Sequence, residues 1–221
     1  MQKNTLALMH DLTALLGKEK CLFSLEDRWT YSFDASKERA VPHAVVFPSC
    51  PEDVCAVMVY AHDKEIPVVP RGAGSGLTGG AVPIKGGIVM VLERMNRILE
   101  LDTDNLCAVV ETGVITAHLQ EAAALAGLFY PPDPASQAFS TIGGNIAENA
   151  GGKTAVLWGT AIDNILSYSI AMPGQDLLTV QRVNHPMRKI LPDDSLHFQV
   201  VDPRKNVLKD IRLTGTDLRK K

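Results

Sequence analysis

The sequence predicts an α+β fold of α/β-like character, and three observations predict it. Between Leu6 and Val69, apolar residues at helical spacing alternate with short β-branched runs. From Ile88 onward, further short strand patterns are separated by polar turns. Two glycine-rich segments break the pattern: PRGAGSGLTGG (Pro70 to Gly80) and STIGGNIAENAGG (Ser140 to Gly152).

Leu6, Leu8, Met9, Leu12, Leu15 and Leu16 recur at helical spacing, and Gly17 is a natural stop. Ala44 to Phe47 reads as a strand. Ser49 with Glu52 three residues on resembles a capping box, and Val54, Val57, Met58 and Ala61 give the following helix one apolar face. A strand at Ile66 to Val69 completes a strand–helix–strand unit with a parallel pair. Ile88–Leu92, Ile98–Leu101 and Cys107–Glu111 read as strands joined by RMNR and DTDN. The stretch ITAHLQEAAALAGL is helical, with Gly127 as its C-terminal cap. YPPDPASQAF is irregular, and the segment after it is glycine-punctuated throughout. Ile165–Met172 and Leu177–Val183 are strands joined by the turn PGQD. RLTGTDLRKK is basic and has no closing element.

Composition narrows the function. At 221 residues and 46% hydrophobic, the chain can bury an ordinary core as one large domain or two small ones. A net charge of −3 gives no reason to expect nucleic acid. The charge is uneven: residues 181–221 carry ten Lys/Arg against five Asp/Glu, which reads as a solvated face or exposed end. No apolar run reaches the ~18–20 residues of a membrane span. His10 and Asp11 inside the first apolar pattern exclude a signal peptide, so the expectation is a cytoplasmic protein. Cys21, Cys50, Cys55 and Cys107 match no zinc, iron–sulfur or redox spacing, and the six histidines show no metal pattern.

Backbone N–H groups approach an anion only where side chains leave room, so a glycine-rich loop after a strand points to phosphate. The plain alternative, an ordinary surface turn, weakens when two such segments occur in one chain. Gly74, Gly76 and Gly79 spell G-x-G-x-x-G, but that fingerprint needs a helix starting inside the motif. Gly79, Gly80, Pro83, Gly86 and Gly87 rule that helix out. Gly152, Lys153 and Thr154 match the end of a nucleoside-triphosphate loop, but Ala147 stands where its first glycine belongs.

The two segments in this order, VVPRGAGSGLTGGAVPIKGGIVMVLERMNRILELD and YPPDPASQAFSTIGGNIAENAGG, closely resemble the FAD-binding domain of the FAD-linked oxidases. That group includes vanillyl-alcohol oxidase and p-cresol methylhydroxylase. The chain looks like the glycolate oxidase subunit and D-lactate dehydrogenase branch of that group, and the resemblance runs from about Tyr31 to about Pro173. It implies a two-subdomain FAD-binding fold over residues 41–180, divided near 112/113. Residues 1–40 are then a helical lead-in and 181–221 a basic C-terminal segment.

By resemblance the first loop cups the FAD pyrophosphate with Arg71, Gly72, Ala73, Gly74, Ser75, Gly76 and Leu77, and Gly79 turns the chain away. Arg71 either neutralises phosphate or forms an ordinary ion pair near the loop. The second segment lies along FAD from the other side. Its residues are Pro132, Asp133, Ser136, Ser140 and Thr141, then Gly143, Gly144, Asn145 and Ala147, and finally Asn149, Ala150, Gly151 and Gly152. Asn145 and Asn149 can bond flavin edges or close the loop itself. Glu148 departs from the small or neutral residue expected there. Some members tether flavin through a histidine in the first loop. That position holds Ser75, so the resemblance implies non-covalent FAD.

The implied activity is oxidation of a small 2-hydroxy acid of the D-lactate or glycolate kind. An electron-acceptor partner or iron–sulfur domain, and peripheral membrane association of the full-length enzyme, fit the same family. The substrate domain of relatives is expected to be missing, which makes this the truncated N-terminal portion of a larger enzyme, with no catalytic residue of its own. A non-catalytic flavin-fold module used for assembly is the alternative.

Overall fold

The computed structural model describes residues 2–174 and 177–219. Its first layer is a four-stranded sheet with helices on one face. Helix α1 (Gln2–Leu16) ends at Gly17 and is followed by β1 (Cys21–Leu22), α2 (Leu25–Trp29), β2 (Ala44–Val46), α3 (Pro51–Asp63), β3 (Val68–Arg71) and β4 (Ile88–Val91). The strand order is β1-β2-β4-β3. Strands β2 and β3 both run parallel to β4, as the strand–helix–strand pattern predicts, and β1 pairs antiparallel with β2.

Period-two alternation sorts the central strands. Ala44, Val46, Ile88 and Met90 face the helices and pack with Leu8, Leu12 and Leu16 of α1 and Val57 and Ala61 of α3. Val45, Val89 and Val91 face the other way and pack with Phe47, Tyr31 and Val69. Strand β4 is therefore buried on both faces, which is why it reads as an unbroken apolar run. Strand β3 begins at Val68 rather than Ile66, because the Ile88 amide bonds Pro67 O and the paired register starts one residue later. It carries Pro70 because it is an edge strand. The capping box at Ser49 and Glu52 is corrected: Cys50 is the N-cap without a side-chain bond, and Asp53 accepts from the Ser49 amide and hydroxyl.

The second part starts with the antiparallel hairpin β5 (Ile98–Asp102) and β6 (Cys107–Val110). Helix α4 (Thr116–Leu125) follows, closed by Gly127 at φ 74°. Three short helices come next: α5 (Ile142–Ala147), α6 (Ala155–Trp158) and α7 (Ala161–Asn164). Val114, Leu119 and Ile142 form the small core beneath them. Strands β7 (Ser167–Ala171), β8 (Leu177–Arg182), β9 (Ser195–Val201) and β10 (Val207–Thr214) build an antiparallel sheet in the order β10-β9-β8-β7. Part of the predicted PGQD turn, Gln175 and Asp176, lies outside the described residues.

The expectation of no closing element near the C-terminus is overturned by β10 and by α8 (Gly215–Leu218). Thr214 and Asp217 form a reciprocal capping box there. Arg219 donates to the fully buried Asp163 carboxylate at 2.6 Å, fastening this end to α7. Basic composition hid that role, because among the segment's described cations Arg219 alone pairs with Asp163.

Leu12 is fully buried and Leu6, on the same helix, is 66% exposed. Leu12→Ala is expected to lower unfolding free energy by about 2–5 kcal/mol. Leu6→Ala is expected to change it by less than about 0.5 kcal/mol. Urea unfolding of both variants checks the assignment of the α1 core face.

Candidate cofactor-binding site

The first glycine segment leaves the end of β3 and crosses to β4 with no helix in between, in agreement with the rejection of the dinucleotide fingerprint. Its root is Arg71, 8% exposed. The guanidinium donates to Phe33 O at 2.6 Å and lies 5.7 Å from the Tyr31 ring, directly beneath Gly74. Burial pulls its pKa below the ordinary arginine value, and the nearby Asp34 opposes that shift. Asp34 is itself buried. Burial acts to raise its pKa, but the Ser36 hydroxyl and amide, the Ala81 amide and Arg71 outweigh it and hold the carboxyl below 3.8. Arg71 thus braces the loop from inside. Sequence reasoning missed its partners, the 31–36 stretch, because no periodic pattern marks it.

From Gly72 to Gly80 no backbone N–H donates to an acceptor among the described residues. Buried or half-buried amides normally find partners within the protein or in solvent. Here Gly72, Gly74, Ser75, Gly76 and Gly79 are half-buried, while Ala73 and Leu77 are exposed. The loop is held by its carbonyl side instead: the Ala35 amide donates to Gly76 O at 3.1 Å. A row of unclaimed amides between small residues fits a phosphate or pyrophosphate.

The second segment meets the first at Gly72, which packs against the Thr141 hydroxyl so closely that a Cβ there would overlap it. Thr141 caps α5 by accepting from the Gly144 amide at 3.2 Å. Sequence reasoning missed α5, since Gly143 and Gly144 have poor helix propensity. Tertiary packing overrides propensity: Gly143 sits on Thr112, donating its amide to Thr112 O at 2.8 Å, with no room for a Cβ.

Behind α5 is a buried polar knot. Thr116 Oγ1 lies 2.9 Å from Ser140 O and 2.8 Å from Ser140 Oγ, and Asn145 Nδ2 donates to Thr116 Oγ1 at 2.7 Å. Asn145, at 2% exposure, is turned inward. Asn149 adopts φ 50°, and its Oδ1 accepts from the Thr160 hydroxyl and the Ile162 amide. Both side-chain amides therefore tie the segment to its neighbours, Asn145 to α4 and Asn149 to the start of α7. Asp133 Oδ1 accepts from the Thr154 amide and hydroxyl, and Gly152 packs against Asp133. Pro132 is buried and its carbonyl accepts from Gln120 Nε2 at 3.0 Å. Ser136 O receives the Phe139 and Ser140 amides. Ala147 is exposed on the outer side of α5, and Ala150 and Gly151 are half-buried in the following turn. The Ala150 amide bonds Asn145 O, and Ala150 O receives the Ala161 amide.

A family model described as "FAD binding domain" matches residues 42–181 of the chain. The glycolate oxidase subunit GlcD of Bacillus subtilis is 38% identical over 168 residues, covering 76% of this chain and 36% of that protein. A D-lactate dehydrogenase of Archaeoglobus fulgidus is 41% identical over 155 residues, covering 68% of this chain and 34% of that protein. The chain spans about a third of the length of the curated relatives it matches. Among solved structures, substrate-bound p-cresol methylhydroxylase superposes with TM-score 0.70 at 20% identity, over 81% of this chain and 36% of that one. Alkyldihydroxyacetonephosphate synthase gives 0.69 at 24% identity, over 74% and 32%. At these identities the likeness shows the fold, which is the one expected from the two glycine segments.

Two outcomes are expected of this geometry. Gly143→Ala should cost about 1–3 kcal/mol because Thr112 cannot make way, whereas Gly76→Ala, with nothing within 4 Å of its Cβ, should stay within about 0.5 kcal/mol of the parent by urea unfolding. Asp34 is depressed in the folded state, so its contribution is present above pH 3.8 and is lost as pH falls through the folded value. Asp34→Asn should therefore flatten the acid limb of stability against pH, measured by urea midpoints between pH 5 and 2.

Proposed function

Because the chain belongs to the FAD binding domain family, we propose that it is the cofactor-holding part of an FAD-dependent dehydrogenase or oxidase. Its substrate is a small 2-hydroxy acid of the D-lactate or glycolate type. The observation that carries the cofactor reading is the run of unclaimed amides from Gly72 to Gly80, facing a second segment braced at Thr141. The substrate class rests on the relatives named glycolate oxidase subunit and D-lactate dehydrogenase.

Residues 41–180 form the FAD-holding unit. The Gly72–Gly80 amides receive the pyrophosphate, with Ser75 Oγ as an added donor. Arg71 positions this loop from beneath through Phe33 O. Thr141, Gly143, Gly144 and the 149–152 turn form the opposite wall. FAD, when bound, supplies the hydride acceptor for the substrate carbon. Residues that hold the acid and take its proton are not assigned to this chain.

Attachment of FAD is non-covalent. Ser75 occupies the position of a tethering histidine, and no histidine lies between His62 and His118.

Titration of the 221-residue chain with FAD, followed by flavin fluorescence quenching and calorimetry, tests the cofactor. Gly76→Val should bind at least about tenfold more weakly while keeping the parent's thermal midpoint, since its side chain would enter the anion space. Absence of heat and quenching at high micromolar protein would overturn the reading. Acid precipitation of the loaded protein should leave the flavin in the supernatant. Flavin that stays with the pellet would overturn non-covalent attachment.

A further inference from the structure

Thr78 and Glu148 are seventy residues apart in sequence and belong to opposite glycine segments. The Thr78 hydroxyl donates to Glu148 Oε1 at 3.0 Å. Glu148 Oε1 also lies 3.1 Å from where a Gly80 Cβ would stand, so the absence of a side chain at position 80 leaves room for the carboxylate. The bond is the sole side-chain hydrogen bond between residues 72–80 and the 140–152 segment among the described residues. It sits at the far end of the loop from the Gly72–Thr141 contact. Between these two ties lie amides that have no acceptor among the described residues.

We propose that Thr78 and Glu148 are a pair of positioning residues that latch the two segments together across the anion site and slow release of the bound dinucleotide. The proposal rests on the FAD reading above. A hydrogen bond at an exposed site contributes little to global stability, but the other restraints on the loop, at Arg71, Gly76 O and Gly79 O, run to its own side of the molecule, and this bond ties its far end to the second segment. Its loss removes the tie that holds Thr78 beside Glu148 at the end of α5. The acceptor oxygen is the needed feature of Glu148, not its charge. A carboxylate near a phosphate is electrostatically unfavourable, and a glutamine of the same length keeps the acceptor without that cost.

The latch makes a four-variant test. Thr78→Val and Glu148→Ala each remove the bond, whereas Thr78→Ser and Glu148→Gln keep it. FAD release from the 221-residue chain, followed by recovery of flavin fluorescence on dilution, should be about three- to tenfold faster in Thr78→Val and Glu148→Ala. The Val/Ala double variant should be no faster than either alone. The two conservative variants should release at the parental rate or slower. Parental release rates in Thr78→Val and Glu148→Ala, or additive effects in the double variant, overturn the latch. Fast release from Glu148→Gln also overturns it, because charge and not the bond would then be the cause.

A second measurement does not depend on FAD. In the ligand-free chain, the amide NMR signals of Gly79 and Gly80 should broaden in Thr78→Val and Glu148→Ala and stay parental in Glu148→Gln. Unchanged signals in all variants overturn the latch. If the parent fails to bind FAD while these signals respond as stated, the latch stands and the cofactor reading falls.

Discussion

The backbone between Gly72 and Gly80 donates none of its N–H groups to an acceptor among the described residues, and this is possible only because other contacts fix the chain on either side. The Arg71 guanidinium under Gly74, the Ala35 amide on Gly76 O and the Thr141 hydroxyl against Gly72 each hold the loop without occupying its donors. Ordering backbone costs roughly 1–2 kcal/mol per residue, and glycine is the most expensive residue to order. A hydrogen bond returns about 0.5–1.5 kcal/mol. The three ties therefore leave much of the cost to the β3–β4 core on which the loop is mounted. The parallel pairing of β3 with β4 serves this purpose: it delivers Arg71 at the end of an edge strand laid against the fully buried β4.

The second half of the molecule extends the same logic to the opposite wall. Helix α5 has two glycines in its six residues and would not persist alone. Thr112, Thr116 and Ser140 hold it from behind, and Asn149 and Thr160 hold the turn after it. Asp163 carries the support further, since its buried carboxylate accepts from the Thr160 and Ile190 amides and from Arg219. The C-terminal strands are thus mechanically connected to the second glycine segment. Arg97 and Glu111 act similarly on the β5–β6 hairpin, where the Glu111 carboxylate accepts two bonds from the Arg97 guanidinium and one from the Arg97 amide.

Much of this was legible in the sequence. Periodicity located α1, α3, α4 and the strands β2 to β8, though not β1 or β9, because those elements bury a face and the burial writes itself into every second or third residue. Pro83, Gly86 and Gly87 correctly excluded a helix after the first loop. What was illegible had tertiary causes. Helix α5 runs against its own propensity, so only the Thr112 surface explains it. The closing strand β10 is largely exposed along its length, and Lys209, Asp210 and Arg212 interrupt its apolar residues. Asn145 and Asn149 have side chains suited to a ligand, yet their bonds run to Thr116, Thr160 and the Ile162 amide, a choice visible only once the chain is folded.

Pro70 has a wider significance than its tolerance at an edge. Pro67 O and Arg71 O both accept from β4, so the odd-numbered residues of β3 point inward and Val68 and Pro70 point to the open side. Pro70 therefore removes a donor from the outward row close to the start of the glycine loop. A stray extended peptide docking there would find its ladder interrupted, which guards this border against intermolecular strand addition and aggregation. The residue that opens the glycine segment also keeps foreign backbone away from it.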